Sequence, residues 1–441
     1  MSRLINVRLV ASKDKAQQFT SLYHHLTPQL LRESFMKLSR KSAPGVDGIT
    51  WVYYASNLDD NILSVHRLLI NGSYRPKPAR MKIIPKEDGS ERHISIQCVE
   101  DKIVQMAVVE VLNGIYEEAF LGFSYGFRPK RSQHMALDAL CVAINKKKVN
   151  WVLDMDISKF FDTVEHGWLI KFIQHRIRDP RILRLITQWI KVGAVDDRGR
   201  RVPATIGTPQ GSVISPLLAN IYLHYVFDLW VNQYRRRYMA GAMTVVRYAD
   251  DAVLGFQKKA EAEQFMAHLG ERLGSFGLTL HPVKTKLIRF GRYAPSQVQG
   301  RPWLGRVGTF DFLEFTHYIG LQRNGEYGVM RKAMCKRQIA QLKRIRLALR
   351  WRLHDNPHKT AKWLRSVVQG HINYFGVPFN SKAVGSFVDE VKKAWLKSLR
   401  RRSQRSKMNW QRFNQLIQYW IPKPRVIHPY PEQRFYAIYP R

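Results

Sequence analysis

The stretch Val245–Phe256, VVRYADDAVLGF, sets two adjacent carboxylates, Asp250 and Asp251, between apolar runs. Read at a period of two, the flanks are short strands, which predicts a hairpin with its carboxylates at the turn. Carboxylates held among apolar residues are costly unless something neutralises them. A third carboxylate, Asp156, ends another short apolar run in NWVLDMDISKFFDTV, residues 150–164. A sheet carrying both runs would gather three hard oxygen donors, the ligand type that Mg²⁺ takes. Two such ions can activate an attacking hydroxyl and stabilise a pyrophosphate leaving group.

The rest of the chain is strongly basic. Its 441 residues are 45% hydrophobic, enough for two or three domains with real cores, and its formal net charge is +38. A charge of that size calls for a polyanion, with nucleic acid the leading partner and an anionic membrane surface the alternative. No apolar run approaches the ~18 residues of a membrane span. The first residues, MSRLINVRLVASKDKAQQ, lack the long apolar core of a secretory signal. Cys98, Cys141 and Cys335 lie far apart, which excludes a paired Cys-x-x-Cys zinc module and fits a reducing cytoplasm.

Residues 1 to about 40 read as helical, followed by a loop marked by Pro44, Gly45 and Gly48. Residues 79–96 predict a hairpin with an Asp88-Gly89 turn, and a long helical pattern follows from Asp101. From Arg331 to Arg441 there are 26 Lys and Arg against four Asp and Glu, more than half of the chain's excess charge. There Ile339, Leu342, Ile345 and Leu349 recur at helical spacing, with Lys336, Arg337, Lys343, Arg344 and Arg350 on the other faces. The pattern predicts an α+β part over residues 1–325, holding the chemistry, and a basic helical domain over 326–441.

These motifs, taken in order, resemble those of the reverse transcriptases encoded by group II introns. RYADD resembles the family's Tyr-x-Asp-Asp signature, DMDISKFFDTV its first catalytic-aspartate motif, and GTPQGSVISPLLANIYLH its Pro-Gln-Gly motif. GLTLHPVKTK resembles the lysine-bearing motif that follows, while SAPGVDGIT, IPKEDGSERHISI and YGFRPKRSQHMALDAL are similar to upstream ones. The resemblance spans roughly residues 30–320 and implies a right-hand polymerase, with fingers and palm built on antiparallel sheet and an all-helical thumb, or maturase, domain.

It also implies roles. Asp156 and Asp250 would hold two Mg²⁺ ions, for which Mn²⁺ can substitute, with Asp251 completing the acidic site and the Ile157 carbonyl a further ligand. Lys86 and Arg92 would clamp the incoming deoxynucleoside triphosphate. Gln210 and Gly211 would lie under nucleotide and template, and Lys284 would stand near the pyrophosphate as an acid. Phe161, five residues after Asp156, would be the aromatic gate against a ribose 2′-hydroxyl. Arg400, Arg401, Arg402, Arg405 and Lys407 are expected to bind RNA. The partners implied are intron RNA, an RNA template with a DNA primer, and target DNA, with no membrane.

Asp154 is expected on the other strand face and Asp162 as a helix cap, neither of them catalytic. The family's usual Phe-Leu-Gly-Phe near the primer reads FLEF here, and Glu314 would repel a primer backbone. No Cys/His-rich endonuclease module is evident before the last residue, so a nicked or replicating strand is the expected primer source. Two further readings use the same residues: a polymerase adopted by its host for repair or defence, and a maturase that only assists splicing.

Overall fold

The computed structural model describes residues 2–85, 89, 91–300, 306–322, 324–403 and 407–440. Among these, helices and eleven strands form a mixed architecture with three mainly antiparallel sheets. The strands are β1 Ala79–Pro85, β2 Glu91–Ile96, β3 Trp151–Met155, β4 Ala194–Val195, β5 Arg201–Val202, β6 Met243–Tyr248, β7 Asp251–Phe256, β8 Lys286–Arg289, β9 Phe310–Phe312, β10 Phe315–Leu321 and β11 Tyr327–Ala333.

The sheet that matters has the order β6-β7-β3-β8, all neighbours antiparallel. Alternation along its strands supplies two cores. Leu153, Met155, Ala252 and Leu254 face helices Ser215–Leu223 and Lys259–Gly274, through Leu218, Tyr222, Phe265 and Leu269. Val152, Val246 and Val253 face the other way, into a core shared with helix Gln133–Lys146 and with residues from Phe310 to Ile421. The predicted hairpin is β1–β2, and Gly89 is the described residue of its turn. The long helix is Val99–Ala119. The N-terminal region breaks into Ser2–Lys13 and Pro28–Lys37, with a short 3-10 turn between them.

Residues 327–333, expected in a helical segment, form β11 instead and pair with β10, so the C-terminal helices begin at Cys335. Helix Cys335–Trp351 uses only part of the predicted stripe. Ile345 and Leu349 are buried and Leu342 packs against the core, but Ile339 is 54% exposed. The last helix, Pro431–Ile438, is fastened to helix Gln133–Lys146 by Arg434, which donates to both oxygens of buried Asp138 at 2.5 and 2.7 Å. Arg331 on β11 shares that carboxylate at 3.1 Å.

This second core buries neutral histidines. His317 is fully buried and stacked on Phe310 with ring centroids 4.9 Å apart, and burial pushes its pKa down to about 3. His371, stacked on Phe387 at 3.6 Å, is pushed down to about 4 by burial. An unfolded histidine titrates near 6.5. Their contribution is therefore complete above that pH and is lost as pH falls toward the folded values, because the unfolded chain then binds more protons. Raised carboxyls such as Asp101, at about 6, act in the opposite sense. A difference measurement isolates the histidine: His317→Leu should lose less thermal stability than wild type between pH 7 and pH 5. Equal losses would show that His317 is not part of the acid response.

Candidate active site

The carboxylates are placed by strand register. β3 and β7 pair with Met155 opposite Ala252, so one step further Asp156 faces Asp251. Side chains two apart share a face, which puts Asp154, Asp156 and Asp251 on the same side of the sheet. The expectation that Asp154 lies on the other face is thereby corrected: a period of two cannot separate it from Asp156. β6 and β7 join through a two-residue turn, Ala249-Asp250, between paired Tyr248 and Asp251. Ala249 has φ +58°, at a turn position where glycine is the usual residue.

The charges feel one another. Asp251 is exposed at the rim, yet crowding by protein strips enough water to push it up to about 7, and Asp250, Asp156 and Asp154 add to the rise. Burial raises Asp250 as well, with Asp156 adding to it and Arg247 and Arg92 opposing it. Asp154 is also pushed up to about 7, by burial and then by Asp156 and Asp311. Against this negative cluster stands Lys284, whose Nζ lies 3.2 Å from Asp156 Oδ2.

Asp156 is held from its backbone. Its carbonyl accepts from His281 N at 2.8 Å and from the Thr285 hydroxyl at 3.2 Å. Ile157 bridges Leu280, but the hydrogen bonds of that bridge belong to Asp156 and Ser158. The Ile157 carbonyl is therefore turned away from Leu280, toward the β7 side where Asp250 lies. In this arrangement no three His, Cys, Asp or Glu side chains among the described residues stand together as a metal-ligand group. The donor chemistry nonetheless fits a hard divalent cation: carboxylates that repel one another, beside an outward-turned carbonyl.

Beneath the turn lies a network that sequence reading missed. Arg247 is fully buried; its Nε and Nη2 donate to the two Asp228 oxygens at 2.7 and 2.5 Å. Its Nη1 donates to the Ala249 carbonyl at 2.8 Å and to Asn220 Oδ1 at 3.1 Å. Asn220 in turn donates to the Gly126 carbonyl at 2.7 Å. A Cβ on Gly126 would stand 2.3 Å from Ala249 N, so only glycine lets that segment lie against the turn. The available signal was an arginine inside the apolar run VVRY; its partner Asp228 sits on the helical turn His224–Asp228.

Phe161 is partly buried and keeps an open face, packed edge-on against Phe160 at 5.3 Å. Its carbonyl accepts from Thr208 N at 2.7 Å, which ties it to the Pro-Gln-Gly loop. Asp162 is not a cap; it lies within the short helix Phe160–Thr163 and accepts from Gln210 Nε2 at 3.3 Å. The Gln210 carbonyl accepts from Ser95 N at 2.6 Å. Gly211, at φ +100°, lies so close to β2 that a Cβ would stand 3.0 Å from the Ser95 carbonyl. The close approach that demands glycine here is to the hairpin bearing Arg92. Arg92 is exposed on β2 opposite Ile84, whereas Lys86 lies outside the described residues.

Glu314 does not stand as a bare charge: its carboxylate accepts from Arg337 at 3.0 Å. With Leu313 it forms the β9–β10 turn, both at positive φ, and Tyr374 donates to the Leu313 carbonyl at 2.9 Å. In the basic C-terminal cluster, Arg400 donates to the Met408 carbonyl and Arg402 to the Asp355 carbonyl, at 2.8 and 2.9 Å. Arg401 and Lys407 are exposed, and Arg405 lies outside the described residues. No described helix is long and apolar enough to cross a membrane.

The family described as "Reverse transcriptase (RNA-dependent DNA polymerase)" matches residues 84–317. Protein YkfC of Escherichia coli (strain K12) is 34% identical over 315 residues, 63% of this chain and 81% of that protein. Group II intron-encoded protein LtrA of Lactococcus lactis subsp. cremoris is 33% identical over 222 residues, 50% of this chain and 36% of LtrA. An uncharacterized 91 kDa protein in the cob intron of Schizosaccharomyces pombe is 27% identical over 70% of this chain and 45% of its own length.

Proposed function

The chain belongs to the reverse transcriptase family, and from that premise we propose that it is the RNA-directed DNA polymerase of a group II intron. It copies RNA into DNA and binds intron RNA to assist splicing and retrohoming. The observation that carries the reading is the acidic end of the sheet, Asp156 facing Asp251 with Asp250 in the adjoining turn, all within the family match. Reverse transcriptases use divalent metal ions; here two Mg²⁺, held by Asp156, Asp250 and the Ile157 carbonyl, would supply activation of the primer 3′-hydroxyl and neutralisation of the pyrophosphate.

The chain's own groups do the rest. Arg92, with Lys86, grips the triphosphate of the incoming nucleotide. Gln210 and Gly211 support nucleotide and template, and their attachment to β2 through Ser95 couples that support to the grip. Lys284, whose Nζ stands at the rim beside Asp156, would give its proton to the leaving pyrophosphate. Residues 1–325 act as fingers and palm, and the basic region 326–441 acts as thumb and RNA-binding surface, with Arg401 and Lys407 among its exposed cations.

The experiment is extension of a DNA primer on an RNA template with deoxynucleotides and Mg²⁺. Product should appear, and chelation of the cation should abolish it. A protein that binds intron RNA but extends no primer would be a splicing-only maturase. Nucleotide choice tests Phe161: its ring offers no acceptor to a 2′-hydroxyl and occupies that space. Phe161→Ala should raise ribonucleotide incorporation relative to deoxynucleotide by about tenfold or more, the scale of a lost steric exclusion. Unchanged discrimination in an active variant would reduce Phe161 to core packing.

A further inference from the structure

The end of the β6-β7-β3-β8 sheet remote from the carboxylates gathers basic residues from four separate segments. β3 begins there at Trp151, β7 ends at Phe256 and β8 at Arg289, the three residues being paired across the sheet. Asn150 N donates to the Phe256 carbonyl and Phe290 N to the Asn150 carbonyl, both at 2.9 Å. These bonds bring the segment that carries Lys147 and Lys148 next to the one that carries Arg289 and Arg292. On the opposite edge, Ala242 N donates to the Gln257 side chain at 3.0 Å, which places the loop after helix Leu229–Arg237 at the same end. That helix finishes with Arg235, Arg236 and Arg237.

Three carboxylates are found here, and each has a lysine: Lys258–Glu261 at 3.3 Å, Lys259–Glu263 at 2.9 Å and Lys146–Glu432 at 3.0 Å. Among the described residues, Lys147, Lys148, Arg236, Arg237, Arg289 and Arg292 have no carboxylate ion-pair partner. Aromatic rings are interleaved with them. Trp151 has Arg289 at 4.7 Å and Lys259 at 5.6 Å from its ring centroid, while Tyr238 is 60% exposed and Tyr293 36%. Cations without counter-charges, alternating with accessible rings, suit a phosphodiester backbone with unstacked bases.

We propose that this sheet end is a second RNA-binding surface, separate from the polymerase cleft and from the basic C-terminal helices, which holds the phosphate backbone of a folded RNA. Five residues of β3 separate it from Asp156, about 16 Å at a strand's rise of ~3.3 Å per residue. The two ends of the sheet can therefore be addressed by different segments of nucleic acid. The proposal rests on the reading of the chain as an RNA-using polymerase, and the partner it adds is a second segment of RNA bound while the cleft is engaged.

The test is the variant Lys147→Gln/Lys148→Gln/Arg236→Gln/Arg237→Gln, four exposed positions outside the active site, with thermal unfolding as the control for folding. Three probes are used: bulk transfer RNA as a folded RNA, a short RNA–DNA primer–template for extension, and phosphatidylglycerol vesicles as an anionic membrane surface. Affinity for transfer RNA should fall about tenfold or more near physiological salt, and its log–log salt slope should flatten by about three, as expected for four lost phosphate contacts. Extension at saturating enzyme should stay within about twofold of wild type. Unchanged affinity and slope would overturn the proposal, leaving a solvated face. An equal loss on transfer RNA and on primer–template would overturn it too, by making the surface part of the template track. So would a loss confined to phosphatidylglycerol vesicles, which would mark a membrane contact. Failure of the wild type to extend any primer would count against the polymerase reading, and the transfer RNA measurement would still decide this surface.

Discussion

Asp250→Asn and Asp156→Asn should each lower primer extension by on the order of a thousandfold, about 4 kcal/mol of barrier, while leaving RNA affinity nearly unchanged. Asparagine keeps the shape and one acceptor oxygen but removes the charge that a hard divalent cation needs. Asp250 stands in the Ala249-Asp250 turn, and Asp156 faces Asp251 across β3 and β7, so neither change disturbs strand pairing. Removing one negative charge from a cluster in which Asp250, Asp156 and Asp154 all raise Asp251 relieves repulsion. Stability should therefore hold or rise slightly while activity collapses. The pair of measurements, extension rate and thermal midpoint, separates a lost function from a lost fold. Substantial synthesis by either variant beside an active wild type would remove these residues from the metal site.

The contrast with Lys284 sharpens the assignment. Its ion pair with Asp156 is on the rim, with the lysine side chain 60% exposed, so its contribution to stability is small. Lys284→Ala should slow extension less than Asp156→Asn does, by roughly a hundredfold, the lower end of what a general acid contributes. Equal damage from both would point to a role for Lys284 in holding Asp156 rather than in proton transfer.

What could be read in the sequence was what strand periodicity and turn chemistry express locally. The β6–β7 and β1–β2 hairpins, the strand leading into Asp156 and the long helix Val99–Ala119 are all of that kind. Errors arose where the answer depends on a phase or a distant partner. Asp154 belongs on the face of Asp156, because residues two apart in a strand share a face. Ile339 has helical spacing like Ile345 and Leu349, but helix Cys335–Trp351 buries only its later turns. Glu314 looked like an unopposed charge because Arg337, its partner, comes from the following helix. The tie between Gly211 and the Arg92 hairpin lies between segments more than a hundred residues apart, and no local pattern encodes it.

The same distance hides Arg247, where the second large effect is expected. Arg247 and Asp228 are a fully buried pair, and the arginine spends its remaining donor on the Ala249 carbonyl and on Asn220. Arg247→Met leaves Asp228 buried without a counter-charge, which costs about 3–5 kcal/mol. It also releases a turn whose Ala249, at φ +58°, persists only because its surroundings hold it. Loss of activity in that single variant would be ambiguous, since unfolding alone produces it. The double variant Arg247→Met/Asp228→Leu resolves this. Replacing both members of a buried pair by apolar residues of similar size is often close to neutral, so most of the thermal stability should return. The clamp on the Ala249 carbonyl does not return, and Asp250 is presented by a turn free to relax. Misplacement of a metal-binding carboxylate by about 1 Å is enough to cost a hundredfold in rate. The double variant should therefore be folded, bind template–primer and extend it at roughly 1% of the wild-type rate or less. If extension recovers together with stability, Arg247 serves only to neutralise Asp228, and the geometry of the turn is held by the Phe123–Gly126 segment packed against it.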